Sequence, residues 1–130
     1  MRDATVHTAS GKFQQAMELG PHHLTADESV AEGGDDMGPA PHDFLLAALG
    51  ACTSMTVKMY ADRKGWPLEK VEVHLSQEKV EGTLSMKREI RFLGALSDEQ
   101  RARLIEIANK CPVHKTLTGK IEIATSLATS

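Results

Sequence analysis

From Phe44 to Val57 the chain reads FLLAALGACTSMTV, a run without a single charged residue. Its leading residues are strong helix formers, and Pro41, just ahead of it, suits a first helical turn, so the run predicts a helix. A helix that is apolar on every side has no face to give to water and must be covered all round. At about 14 residues it falls short of the roughly 20 needed to cross a bilayer, so the cover has to be protein. A chain of 130 residues is sized for one domain, expected here over residues 1–130. Its own sheet and a second copy of the chain are the covers at hand, and the run therefore predicts a dimer.

Strand alternation supplies the sheet. In KFQQAMEL, residues 12–19, Phe13, Met17 and Leu19 fall on one face. Gly20-Pro21 then breaks the run before a second extended stretch, HHLTADESV, which predicts an N-terminal hairpin with a further short strand at ATVHT ahead of it. EGGDDMGPAP is loop by composition, and its Asp35 and Asp36 are expected to be solvated turn carboxylates rather than cation ligands. Beyond KGWPLEK, Val71, Val73 and Leu75 alternate, as do Met86, Ile90 and Phe92, which predicts a second hairpin turning near Glu81-Gly82-Thr83. Ser97 and Gln100 form a capping box for a helix whose Leu104, Ile107, Ala108 and Cys111 make an apolar stripe. Pro112 opens a short helix, PVHKTLT, with Gly119 past its end, and IEIATSLAT alternates as a last strand. This order of elements is that of an α+β protein.

Composition excludes several partners. Charged residues make up 25% of the chain and the net charge is −3, without the basic excess of a nucleic-acid binder. MRDATVHTAS lacks the layout of a secretory signal and no apolar run reaches spanning length, so neither export nor a membrane is expected, and the protein is placed in the cytoplasm. Two cysteines in a reducing compartment point to free, catalytic or redox-active thiols rather than a permanent staple. No C-x-x-C or H-x-x-x-H pattern occurs, and no metal or cofactor is expected, although the spacing of Cys111 and His114 alone is compatible with a ligand pair.

Cys111 sits where it can cap the helix begun by Pro112, with Lys110, His114 and Lys115 beside it, and this setting favours a thiolate. The plainer reading is a small apolar residue finishing a buried stripe. Cys52 lies midway along the apolar helix, in line with Ala48, Leu45 and Pro41, where its own helix offers no charge. Asp43 falls on roughly the opposite face, and His42 lies about 80° round and about 15 Å along the axis. Whatever ionises Cys52 must come from another segment or another subunit. One cysteine in each of two helices makes an attacking and resolving thiol pair an option, in which a sulfenic acid on one condenses with the other.

Two stretches together, GPAPHDFLLAALGACTSMTVKMYADRKGWPLEKVEV and GALSDEQRARLIEIANKCPVHKTL, resemble the OsmC/Ohr family in its OsmC-like branch, over about residues 33–127. The resemblance implies antiparallel sheets wrapping two long central helices in an intertwined homodimer, with the active site at the subunit boundary. It also implies thiol-dependent reduction of hydroperoxides, organic ones above all, with Cys52 in the attacking position and Cys111 in the resolving one. That assignment reverses the electrostatic leaning toward Cys111. The reductant it implies is a small dithiol or a dithiol-bearing protein such as a lipoylated one. The family's peroxidases set an arginine from the N-terminal strands and a glutamate from the start of the long helix beside the reactive thiol. Here the glutamate position is His42, followed by Asp43, and the N-terminal hairpin offers Lys12. Arg88 and Arg91 are the arginines available to stand in, with His114 as a further supporting residue. Two other readings stand beside the peroxidase: a dimer that senses redox state or holds a small hydrophobic ligand, and a structural dimer with inert thiols.

Overall fold

In the computed structural model, which describes residues 1–129, the chain opens with three antiparallel strands, β1 (Thr5–Thr8), β2 (Gln15–Leu19) and β3 (His22–Ala26), ordered β1-β2-β3. Gly20 turns β2 into β3 at a φ of 60°, a left-handed conformation that glycine adopts freely. The second extended stretch stops at Ala26 instead of running on to Val30. Asp27, only 2% exposed, ends it by turning its carboxylate on the chain, accepting from Glu28 N at 2.8 Å and Met37 N at 3.0 Å. A 3-10 turn follows at Val30–Glu32. These elements lie in the first of two compact units, Met1–Ala47; the second is Ala48–Ser130.

The expected helix is α1 (Pro41–Lys64), and its 24 residues outrun the uncharged stretch at both ends. Lys58 and Asp62 extend it through an i,i+4 pair at 2.6 Å, and Gly65, at φ 69°, ends it. At this length its apolar window does suffice to cross a membrane by length and composition, which corrects the expectation drawn from the shorter run. In the protein one face of it is core: Leu49, Gly50, Thr53, Val57 and Ala61 are buried. Leu45, Met55 and Met59 stay exposed, so the helix expected to be covered all round is covered on one side by its own chain.

In the second unit, β4 (Leu68–Val80) and β5 (Thr83–Gly94) pair along their length around a two-residue turn. Glu81 and Gly82 carry φ values of 51° and 82°, the pair of left-handed residues that matches the twist of a tight hairpin. Helix α2 (Asp98–Ala108) begins with the expected capping box, Ser97 Oγ accepting from Gln100 N and Gln100 accepting from Ser97 N. Helix α3 (Pro112–Thr118) has Cys111 as its N-cap. Val57 and Ala61 of α1, Leu68 and Phe92 of the hairpin, and Leu104, Ile107 and Ala108 of α2 form the core, flanked by Tyr60 and Trp66.

The last strand is not formed. Residues 119–129 join no strand ladder among the described residues, and Ile123 is 87% exposed. Alternation stabilises a strand only when an open sheet edge takes up its N–H and C=O groups and a surface covers its apolar face. Ile121 and Ile123 have the pattern and lack both partners among the described residues.

Candidate functional site

Three elements of the second unit converge on the cysteines. Thr53 belongs to the buried face of α1, and a hydroxyl there must find partners. Its Oγ1 donates to the Leu49 carbonyl at 2.6 Å and accepts from Arg88 Nη1 at 2.9 Å. Cys52, one residue earlier and therefore turned by about 100°, is half-buried, with Sγ 3.8 Å from Thr56 Oγ1.

Cys111 has no exposed surface. It stands in the bend between α2 and α3, and as N-cap its sulfur accepts from His114 N at 3.2 Å, a donor the short helix leaves unused. Thr53 Oγ1 lies 3.9 Å from the same sulfur. That hydroxyl has one proton and the far shorter bond to Leu49 takes it, so the approach to sulfur is a contact more than a bond. Burial pushes the Cys111 thiol up. The His114 N–H, the neighbouring Cys52 and Thr53 side chains and the charge of Arg88 together outweigh it, leaving the thiol below its ordinary value. Cys52, next in the chain to the Thr53 that touches the Cys111 sulfur, is thus a close neighbour of it.

Arg88 reaches in from β5. Besides Thr53 it donates from Nη2 to Asn109 Oδ1 at 3.0 Å and to His114 Nδ1 at 2.9 Å, with Nη1 3.5 Å from the Ala108 carbonyl. All four acceptors are neutral, and no carboxylate pairs with Arg88 among the described residues. A part-buried guanidinium favours an anion nearby, and the charge of Arg88 is among the influences that lower the Cys111 thiol. Beside this cluster opens a cleft of about 460 Å³, walled by Leu49, Leu84, Met86, Ile90, Ile105 and Leu117, with Arg88, Asn109, His114 and Thr118 as its polar side. Neither sulfur lines the cleft; Arg88 and His114 do.

Of the residues singled out in the sequence, Cys52, Cys111, Arg88 and His114 come together here. Arg91 does not: three positions along the strand it takes the other face, 3.6 Å from Glu72 and largely exposed. Lys12, in the first unit, gives its backbone N–H to Asp35 Oδ2 at 3.2 Å, and its ammonium makes no ion pair among the described residues. Asp43 caps the start of α1, accepting from Ala40 N at 2.9 Å, and His42 beside it is exposed. Thr53 and Asn109 were not singled out. The available signal for Thr53 was a hydroxyl directly after a cysteine in an uncharged helix, shared in part by Ser54 and Thr56 close behind it. Asn109 carries no such mark and is found only through Arg88.

The OsmC-like protein family model matches residues 33–126. The fold is similar to that of an OsmC-like protein from Mycoplasma pneumoniae, at 19% identity over 92% of this chain and 88% of that one, with a TM-score of 0.79. It is also similar to that of an organic hydroperoxide resistance protein OsmC from Legionella pneumophila, at 20% identity over 92% and 90% of the two chains, TM-score 0.66. A third, an organic hydroperoxide resistance protein from Elizabethkingia anophelis, is 19% identical over 94% and 91%, TM-score 0.69. No curated protein matches the chain by sequence. The α+β architecture of three helices and two antiparallel sheets is that of these neighbours, and the chain belongs to the OsmC-like protein family.

Proposed function

We propose that the protein is a thiol-dependent peroxidase that reduces hydroperoxides, organic ones first, and that it works as a homodimer in the cytoplasm. The observation that carries the reading is the meeting of the chain's two cysteines, far apart in sequence, as near neighbours around Thr53, beside an arginine with no carboxylate partner among the described residues. Two proteins of similar fold are organic hydroperoxide resistance proteins, which adds support.

Access and ionisation favour different sulfurs. The Cys111 thiol is lowered by its neighbours, yet it is fully buried, and a peroxide oxidises only a sulfur it can reach. Cys52 is half-buried. Their nearness reconciles the two in this reading: the Cys52 proton passes to Cys111 as Cys52 attacks, so that Cys52 becomes the sulfenic acid and Cys111 resolves it. A dithiol, free or carried on a lipoylated protein, returns the disulfide to thiols. Arg88 takes the cationic role that the family's N-terminal arginine fills.

The test is hydroperoxide consumption with a dithiol reductant. Wild type should turn over and form a Cys52–Cys111 disulfide visible by mass spectrometry. Cys111→Ser should consume one equivalent and accumulate oxidised Cys52. Turnover by Cys52→Ser would overturn the assignment. A second reading draws on the cleft, whose volume and apolar wall suit a small hydrophobic ligand held by an inactive, redox-sensing dimer. A ligand recovered from purified protein that consumes no peroxide would favour it.

A further inference from the structure

Arg88 and His114 meet in a way that fixes the state of the imidazole. A guanidinium has five N–H donors and no acceptor, so at 2.9 Å from Arg88 Nη2 the His114 Nδ1 is the acceptor. The ring is then neutral and carries its proton on Nε2. Arg88 is held in this pose by three further acceptors on α1 and at the end of α2, so the ring has a fixed partner. Among the described residues nothing accepts from Nε2. His114 also lines the cleft, and its backbone N–H lies 3.2 Å from Cys111 Sγ. One residue therefore touches the Cys111 sulfur through its backbone and lines the space beside it with its ring.

We infer that His114 is a catalytic residue of the peroxide reduction, its Nε2–H donating a hydrogen bond to the oxygen that leaves as the O–O bond breaks. The inference rests on the peroxidase reading. The Cys52 thiolate gives an electron pair to the terminal oxygen of R–O–O–H; an S–O bond forms, the O–O bond breaks, and the R–O oxygen leaves with the O–O pair as an alkoxide. Sulfur is oxidised by two electrons to a sulfenic acid. Solvent supplies the proton that turns alkoxide into alcohol, and Cys111 then displaces water from the sulfenic acid to close the disulfide. The alkoxide is the most basic species in the cycle, formed against an apolar wall that hydrates it poorly, where an oriented donor has its largest effect. A neutral imidazole serves as that donor without giving up its proton, so His114 ends the cycle as it began.

The test uses single-turnover oxidation of the reduced protein by two oxidants with different leaving groups, tert-butyl hydroperoxide and peracetic acid. An alkoxide needs the donor and an acetate barely does. His114→Phe should slow oxidation by the alkyl hydroperoxide on the order of 100-fold, the loss typical of one donor to a developing oxyanion, and leave the peracid rate within a few fold. His114→Gln, whose amide accepts from Arg88 and still donates, should recover most of the loss; should His114→Phe not fold, His114→Ala reads the same ratio. Equal losses with both oxidants, or His114→Gln no faster than His114→Phe, would overturn the inference while leaving the peroxidase reading intact. A wild type that reduces neither oxidant would overturn both.

Discussion

Arg88 on β5 and Thr53 on α1, 35 residues apart, are joined by a 2.9 Å hydrogen bond from Nη1 to Oγ1 that fastens the hairpin to the helix next to Cys52. The bond is one tooth of a planar fork. Lysine has the charge without the fork, so Arg88→Lys leaves Thr53, Asn109 or His114 without a donor. Peroxide turnover should fall about tenfold or more, and stability by about 1–3 kcal/mol for an orphaned buried acceptor. Urea denaturation and the consumption assay, run on the same variant, check both.

Removing the Arg88 charge should raise the Cys111 thiol. Its folded value is depressed, so its ionisation adds stability that is fully present above the unfolded thiol's value and lost as pH falls through the lower folded one. Absorbance of the thiolate near 240 nm, followed against pH, should move to higher pH in Arg88→Met, and the alkaline gain in stability should shrink with it. A titration that does not move would remove Arg88 from the account of the thiolate.

Asp27 gives the first unit its own pH dependence. Bonding from Met37 N lowers its carboxyl, burial raises it, and bonds from Glu28 N and Asp35 N lower it further, for a net depression. Its contribution is present above the usual carboxylate range near about 3.9 and disappears as pH falls through the lower folded value. Asp27→Asn turns an amide toward backbone donors; it should lower the melting midpoint at neutral pH and flatten the loss of stability between neutrality and strong acid.

Leu104 is completely buried among α1, the hairpin and α2. Leu104→Ala should cost about 2–5 kcal/mol by denaturant unfolding. It lies outside the hydrogen-bond cluster, so single-turnover oxidation of the variant at low denaturant should stay close to wild type.

Met55 and Met59, both 63% exposed on one side of α1, are the surface on which the proposed dimer rests. Wild type should sediment as a dimer at micromolar concentration, and the double substitution Met55→Glu, Met59→Glu as a monomer. A monomeric wild type would remove the dimer.

Signals confined to a few neighbouring residues were legible: Ser97 with Gln100, Pro112 after a capping Cys111, and the turn at Glu81–Gly82 each state their geometry within four positions. The length of α1 was not, because its charged last turns end the apolar run without ending the helix; the Lys58–Asp62 pair carries it on. The last strand was over-read, since alternation at Ile121 and Ile123 describes a willingness to pair and cannot supply the edge. In the site, the two thiols stood out by type, and Arg88 and His114 as charged or titratable neighbours in sequence to the right elements. Which arginine served was hidden. Arg88 and Arg91 differ only in the face of β5 they occupy, and that is settled by contacts to Thr53, Asn109 and His114 that lie 21 to 35 residues away.

The closeness of Cys52 and Cys111 also bears on the chain's conformational entropy. A covalent bond between them would close a loop of about 60 residues in the unfolded ensemble, and the loss of freedom there is worth about 4 kcal/mol in favour of the folded form. Against this, the oxidised site would hold the Arg88 charge with no thiolate beside it, a penalty paid only when folded. Each turnover would carry the protein between a looser and a tauter state, so its thermal midpoint becomes a gauge of how much peroxide it has met.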